Sequence, residues 1–296
     1  MSAQPRRVEH QQTDKGSVPV YTTAVVEQPW ASYAAADHAT WAALFKRQRE
    51  TLVDRASRDF LHNQEQFGMT PDAIPKFDDL NRVLKKVTGW ELIGVEGLLP
   101  ELTFFEHLAN RRFPVTWWIR RPEQIDYISE PDLFHDLFGH VPLLLNPVFA
   151  DYMQAYGRGG VKAHGIGAEA LVNLTRLYWY TVEFGLIKQN DGLRIYGSGI
   201  VSSKGESIYS LEAPAPNRIG FDMPRIMRTR YRIDTYQKTY FVIDSFEQLM
   251  EATRPDFTAL YAQLAQQDSI PAGSVLTADL VYQRGTGEGW AKDGDV

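Results

Sequence analysis

Apolar residues recur at intervals of three and four through the first half of the chain, and each run is bounded by residues suited to start or stop a helix. Trp41, Leu44, Phe45 and Leu52 share one face, with Asp37 placed as the N-cap. Ser57 caps a second predicted helix carrying Phe60, Leu61 and Phe67, which Gly68 closes. Leu80, Val83, Leu84 and Val87 give residues 77–87 a third, ended by Gly89. The period then changes. Residues 90–95 read as a short strand before Gly97, and Pro100 opens a helix through Phe104, Phe105 and Leu108. Residues 115–120 are β-branched and aromatic and read as a second short strand, stopped at Arg121-Pro122.

Farther along, Asn146 followed by Pro147 is an N-cap before a proline at the first helical position, and the predicted helix stops at Gly157. Gly157-Arg158-Gly159-Gly160 then reads as a flexible connection. Residues 169–188 carry Leu171, Leu174, Leu177, Tyr178, Val182 and Leu186, the wide apolar face of a long buried helix. Residues 193–203 read either as a bulged strand or as a place where Gly197 and Gly199 let backbone approach a ligand. A strand is expected at 240–244, a helix capped by Ser245, and a last helix at 256–264. The pattern predicts a mainly α fold with a few short strands in one domain, residues 30–268. Residues 1–29 read as a mobile tail and 269–296 as a loosely docked one in which Trp290 is the anchor.

Composition narrows the classes. The chain has 296 residues, 44% of them hydrophobic, which is ample for a large core. A net charge of −6 argues against nucleic acid as the main partner, and the cluster Arg225, Arg228, Arg230 and Arg232 reads as an ion-paired or solvated face. There is no cysteine, so disulfides, thiolate zinc and iron–sulfur ligation are excluded, and any metal must be held by histidine and carboxylate. No apolar run is long enough to span a bilayer and no signal peptide is apparent, so a cytoplasmic location is expected.

Two of the seven histidines, His135 and His140, fall in one short apolar segment. Such a pair is either most of a metal-binding face or two hydrogen-bonded core histidines. The spacing is awkward for an α-helix, because five residues rotate the second ring by about 140°; Gly139 could loosen the turn and let the rings converge. Glu183 lies among Trp179, Tyr180, Thr181, Val182 and Phe184, where an unpaired carboxylate is costly to bury. A buried arginine, a surface position or a metal would each relieve it. With the histidines, a metal gives two nitrogens and one carboxylate on one side of an ion, the facial arrangement of non-haem ferrous oxygenases.

The run from Glu130 through His135 and His140 to Pro142, then Tyr178 to Gly185, then Tyr196-Gly197-Ser198-Gly199, resembles the tetrahydropterin-dependent aromatic amino acid hydroxylases. The likeness covers roughly residues 34–264, rests on three long motifs in order, and is closest to the bacterial, phenylalanine-acting branch. It implies that His135, His140 and Glu183 bind Fe(2+), and that Leu99, Phe104, Asp136 and Tyr178 hold a tetrahydropterin, tetrahydrobiopterin or a bacterial analogue. By the same resemblance, Arg120 forks onto the substrate carboxylate. Pro131, Trp179, Phe184 and Gly199 wall the aromatic ring, and Ser202 lies near substrate and His135.

The implied reaction is hydroxylation of L-phenylalanine to L-tyrosine with O2 through a ferryl intermediate. The same chemistry on tryptophan or tyrosine, and a non-catalytic pterin- or metal-binding protein, are the alternatives. Two positions depart from the animal members: Asp136 stands where they carry Glu, and Ile128 where they carry Thr, each weakening a polar contact. The resemblance further implies a monomer without substrate activation, served indirectly by pterin-recycling enzymes.

Overall fold

The computed structural model describes residues 10–13, 16–19, 21–126, 128, 130–290 and 294–296. Residues 1–9, 14, 15 and 20 of the expected N-terminal tail lie outside the described residues. β1 (His10–Thr13) and β2 (Gly16–Pro19) form an antiparallel hairpin. β3 (Val25–Val26) pairs with β4 (Glu91–Val95), which runs parallel to β5 (Arg112–Thr116). Residues 21–29 are therefore tied to the body, and Gln28 and Trp30 also donate to the carbonyls of Pro75 and Ile74.

α1 (Ala35–Leu52) forms on the predicted apolar face, but Asp37 sits inside its first turn and accepts from the Ala34 N–H instead of capping. α2 (Arg58–Gln66) is capped by Ser57, and α3 (Phe77–Val87) ends before Gly89, whose φ of 74° suits glycine. α4 (Glu101–Ala109) leads into β5, which starts three residues and ends four residues before the strand expected at 115–120. The paired partner β4 sets that register, whereas the aromatic run 117–120 turns into the core.

α5 (Pro147–Ile166) runs straight through the glycines expected to break it. A Cβ at Gly157 would meet the Leu108 side chain at 2.6 Å, and one at Gly160 would strike the Phe105 ring. These glycines let α4 lie close on α5; no loop forms. α6 (Ala168–Tyr178) passes into a π-helical turn, Trp179–Glu183, and the remainder of the expected helix is β6 (Leu186–Gln189). β7 (Gly192–Ile195) pairs with it, and residues after Gly197 form the short α7 (Ser198–Val201), not a bulged strand.

α8 (Lys204–Glu212), β8 (Asn217–Gly220), α9 (Met223–Arg228), β9 (Thr239–Ile243), α10 (Phe246–Thr253) and α11 (Thr258–Leu264) follow. β10 (Val281–Gln283) closes a second sheet of order β10-β8-β9-β6-β7. The segment expected to be loosely docked is thus pinned: Ile270 and Ala272 are buried, and the Trp290 ring packs against Gly273. Its polar composition hid this because the contacts are backbone pairing and single anchors. Arg225 and Arg232 of the basic cluster are buried in ion pairs with Asp279 and Asp234.

The core is aromatic. Phe134 stacks on Phe138 at 4.8 Å, and Trp41, Phe45 and Phe60 close around them. Since Phe134 and Phe138 flank the first histidine, this cluster anchors the segment that carries both. Among the described residues, no helix is long and apolar enough to cross a membrane.

Candidate metal centre and adjoining pockets

The segment His135–His140 is a single π-helical turn. In a π turn the hydrogen bond joins residues i and i+5, so five residues complete little more than one turn and both imidazoles fall on the same side. The His135 and His140 Nε2 atoms lie 3.0 Å apart. Gly139 permits this by close approach: a Cβ there would come within 2.9 Å of the Ser198 carbonyl on α7. Glu183 enters from the other π turn, with Oε1 3.1 Å from His140 Nε2 and Oε2 3.7 Å from His135 Nε2.

These separations suit a metal. Donors about 2.1 Å from one ion and at right angles to each other are about 3.0 Å apart. Two unprotonated Nε2 atoms this close would set lone pair against lone pair, and an ion held between them would satisfy both. His135 Nδ1 is 2.9 Å from Ser202 Oγ, whose own hydroxyl donates to the Ser198 carbonyl, so Nδ1 carries the proton and Nε2 is left as a ligand atom. Burial pushes the His135 pKa down to about 4, keeping it neutral near pH 7.

Two carboxylates compete for the third place. Asp136 lies within 4.8 Å of the two imidazoles, but its Oδ2 accepts from the Thr116 N–H at 2.7 Å and burial pushes its carboxyl up to about 7. For Glu183 burial also pushes upward, but His140, His135 and a Ser198 hydroxyl 2.9 Å from Oε2 outweigh it, and the carboxyl lies at about 2. Glu183 is ionised and closer, and is the better donor.

Beside the centre is a hollow of about 250 Å³. It brings together Leu99, Phe104, Asp136 and Tyr178, all expected on the pterin side, and Pro131, expected on the substrate side, borders it too. Phe104 and Tyr178 meet edge to face at 5.9 Å, and the Tyr178 ring lies 6.4 Å from that of His140, which joins hollow and centre.

The other expected walls form a second group. Trp179 and Phe184 lie 4.9 Å apart, and a Cβ at Gly199 would come within 3.0 Å of the Phe184 ring and 3.2 Å of Glu183 Oε2. Ser202 is buried against His135. Arg120 is buried, and its fork is already engaged: Nε and Nη2 each donate to Asp132 at 2.8 Å. Arg120 holds the Asp132 carboxyl below the usual range against the upward push of burial. A two-pronged grip on a substrate carboxylate through those same atoms is therefore not available; the Nη1 edge remains.

Asp132 and Ser198 are functional neighbours that sequence reasoning missed. Asp132 had a signal, because a carboxylate three residues before His135 can cap its N–H, and Asp132 Oδ1 does so at 3.1 Å. Ser198 lay inside the Tyr196–Gly199 motif without a role of its own, and nothing local marked Tyr231 or Gln237; Tyr231 stacks on Trp179 at 4.4 Å and Gln237 accepts from its indole N–H at 3.1 Å.

A family model described as biopterin-dependent aromatic amino acid hydroxylase matches residues 20–266. Phenylalanine-4-hydroxylase of Ralstonia nicotianae is 62% identical over 271 residues, covering 92% of this chain and 86% of its own. That of Chromobacterium violaceum is 60% identical over 269 residues, 91% of this chain and 90% of its own. The iron- and phenylalanine-bound crystal structure of the Chromobacterium violaceum enzyme superposes with a TM-score of 0.83 at 59% identity, covering 87% of this chain and 93% of that one.

Proposed function

The chain belongs to the biopterin-dependent aromatic amino acid hydroxylases, and from that membership we propose that it is an iron- and tetrahydropterin-dependent monooxygenase converting L-phenylalanine to L-tyrosine with dioxygen. The observation that carries the reading is the convergence of His135, His140 and Glu183 donors, 3.0 to 3.7 Å apart, next to the hollow under Phe104 and Tyr178.

In this reading His135, His140 and Glu183 hold ferrous iron, and Ser202 keeps His135 in the tautomer that can ligate. When bound, iron and the reduced pterin supply the oxygen activation and the two electrons that place one oxygen atom on the aromatic ring and the other on the pterin. Phe104 offers a face for the pterin ring, with Leu99, Asp136 and Tyr178 around it. Arg120, fixed by Asp132, presents positive charge to the amino acid carboxylate. Trp179, Phe184, Pro131 and Gly199 exclude water around the aromatic ring and orient it, which favours one outcome over side reactions.

The test is tyrosine formation from phenylalanine with ferrous iron and a tetrahydropterin, with and without a chelator, and with tryptophan and tyrosine as competitors. Absence of pterin-dependent oxygen uptake would sink the proposal.

We propose further that residues 30–268 form the catalytic unit and that the protein works as a cytoplasmic monomer, drawing on separate pterin-recycling enzymes. The exposed apolar side chains Val53, Val87 and Ile166, which come from the ends of three different helices, support the monomer.

A further inference from the structure

Trp179 is held by three side chains, two of them remote from its own turn. Tyr231 stacks on one face at 4.4 Å with planes 26° apart, and Phe184 leans on the ring at 4.9 Å. The third restraint is polar: the indole N–H donates to Gln237 Oε1 at 3.1 Å.

Gln237 is itself locked. Its side chain is 1% exposed, its Nε2 donates to the Arg232 carbonyl at 2.7 Å, and its Oε1 also accepts from the Arg232 N–H at 3.3 Å. That pair of contacts decides which way the amide faces. Flipping it would set the NH2 group against two N–H donors and the oxygen against a carbonyl. The Gln237 backbone N–H is anchored in turn on Glu206 Oε1 at 3.2 Å, and the Tyr240 hydroxyl donates to the same oxygen. An acceptor fixed this firmly sets the angle of the indole, since a tryptophan held by stacking alone can still slide or rotate in its plane.

We infer that Gln237 is a positioning residue for the hydroxylation, setting through the indole N–H the orientation of the Trp179 wall and hence of the substrate ring. The inference rests on the proposed reading in which Trp179 borders the aromatic ring of the amino acid. It assigns no contact between Gln237 and substrate.

A double-mutant cycle tests it. Gln237→Met keeps the side chain's size and removes the acceptor. It should raise the phenylalanine KM about three- to tenfold, the worth of one neutral hydrogen bond. Affinity for phenylalanine measured by calorimetry should weaken in step. Tyrosine formed per pterin oxidised should fall, while the pterin KM stays within about twofold. In a Trp179→Phe background, where no N–H exists, the same substitution should add less than about twofold. If it multiplies the Trp179→Phe effect in full, Gln237 acts by another route and the inference is overturned. If Trp179→Phe alone leaves phenylalanine affinity, KM and coupling at parent values, Trp179 is not a substrate wall, and the underlying reading of that residue falls with the inference. Should Gln237→Met fail to fold, Trp179→benzothienylalanine replaces the N–H by sulfur in a ring of nearly the same shape. The same loss of coupling supports the inference, and parental behaviour overturns it.

Discussion

Arg120 and Asp132 form a buried two-pronged ion pair, side chains 6% and 0% exposed, in which Asp132 Oδ2 also takes the Arg120 backbone N–H at 2.9 Å. The arginine is therefore clamped before any ligand arrives. Arg120→Lys keeps the charge but cannot fill both prongs. It should raise the phenylalanine KM about ten- to a hundredfold, as expected for losing the charged hydrogen bond that the Nη1 edge is proposed to give the substrate carboxylate, and move the pterin KM far less. Because Asp132 loses partners, the variant should also melt lower, a consequence that a pure substrate contact would not have. Steady-state kinetics with both substrates varied, alongside a melting curve, decides this; an unchanged phenylalanine KM with a raised pterin KM would place Arg120 at the wrong pocket.

Removing one donor of three should empty the metal centre and leave the fold standing. Glu183→Gln or His135→Ala is expected to lower iron content and hydroxylation together, since the aromatic cluster of Phe134, Phe138 and Trp41 holds the segment independently. Iron analysis, circular dichroism and turnover on the same preparation check it. Parent-rate turnover with iron bound would refute the ligand assignment.

Glu206 gives a pH prediction. Burial pushes its carboxyl up to about 7, against hydrogen bonds from Tyr240 and the Gln237 backbone that pull it down. In the unfolded chain the group loses its proton near its ordinary value of 4.5. Between those values the folded state binds more protons than the unfolded one, so stability falls as pH rises from about 4.5 to about 7. The full contribution is on the order of 3 kcal/mol. Glu206→Gln removes the charge and keeps an oxygen for Tyr240. It should melt several degrees above the parent at pH 8 and nearly level with it at pH 5. A variant less stable than the parent at pH 8 would show that the carboxylate is satisfied when ionised.

The close seat of α4 on α5 can be tested at one atom. Gly160→Ala would drive a methyl group into the Phe105 ring, and overpacking of this kind costs about 1–3 kcal/mol. Phe104 is the next residue on α4, so the shift should also raise the pterin KM more than the phenylalanine KM. Thermal melting and paired KM values are the readout. Neutral behaviour in both would mean that the helices can part without disturbing the hollow.

Sedimentation should find a monomer. Exposed apolar side chains such as Val53, Val87 and Ile166 are drawn from the ends of three different helices, and the chain carries a net charge of −6. A stable tetramer at micromolar concentration would contradict the proposal.

What the sequence determined by itself is what neighbouring residues decide among themselves. Ser57, Asn146 and Ser245 cap the helices they were expected to cap, and 77–87 is a helix to the residue, because cap and period are interactions across three or four positions. The family was legible for a related reason: the motifs around His135, His140 and Glu183 are contiguous stretches of chain. Tertiary structure decided everything that depends on a distant partner. A five-residue spacing is wrong for an α-helix and right for a π turn, and the turn is possible because Gly139 admits α7. Gly157 and Gly160 read as a break until α4 is laid against them. Asp132 claims the fork of Arg120, and Gln237 reaches the indole of Trp179 across 58 positions. Each of these is a choice between two locally acceptable conformations or partners. The deciding energy, a filled contact or a satisfied buried polar group, exists only once remote segments have packed together.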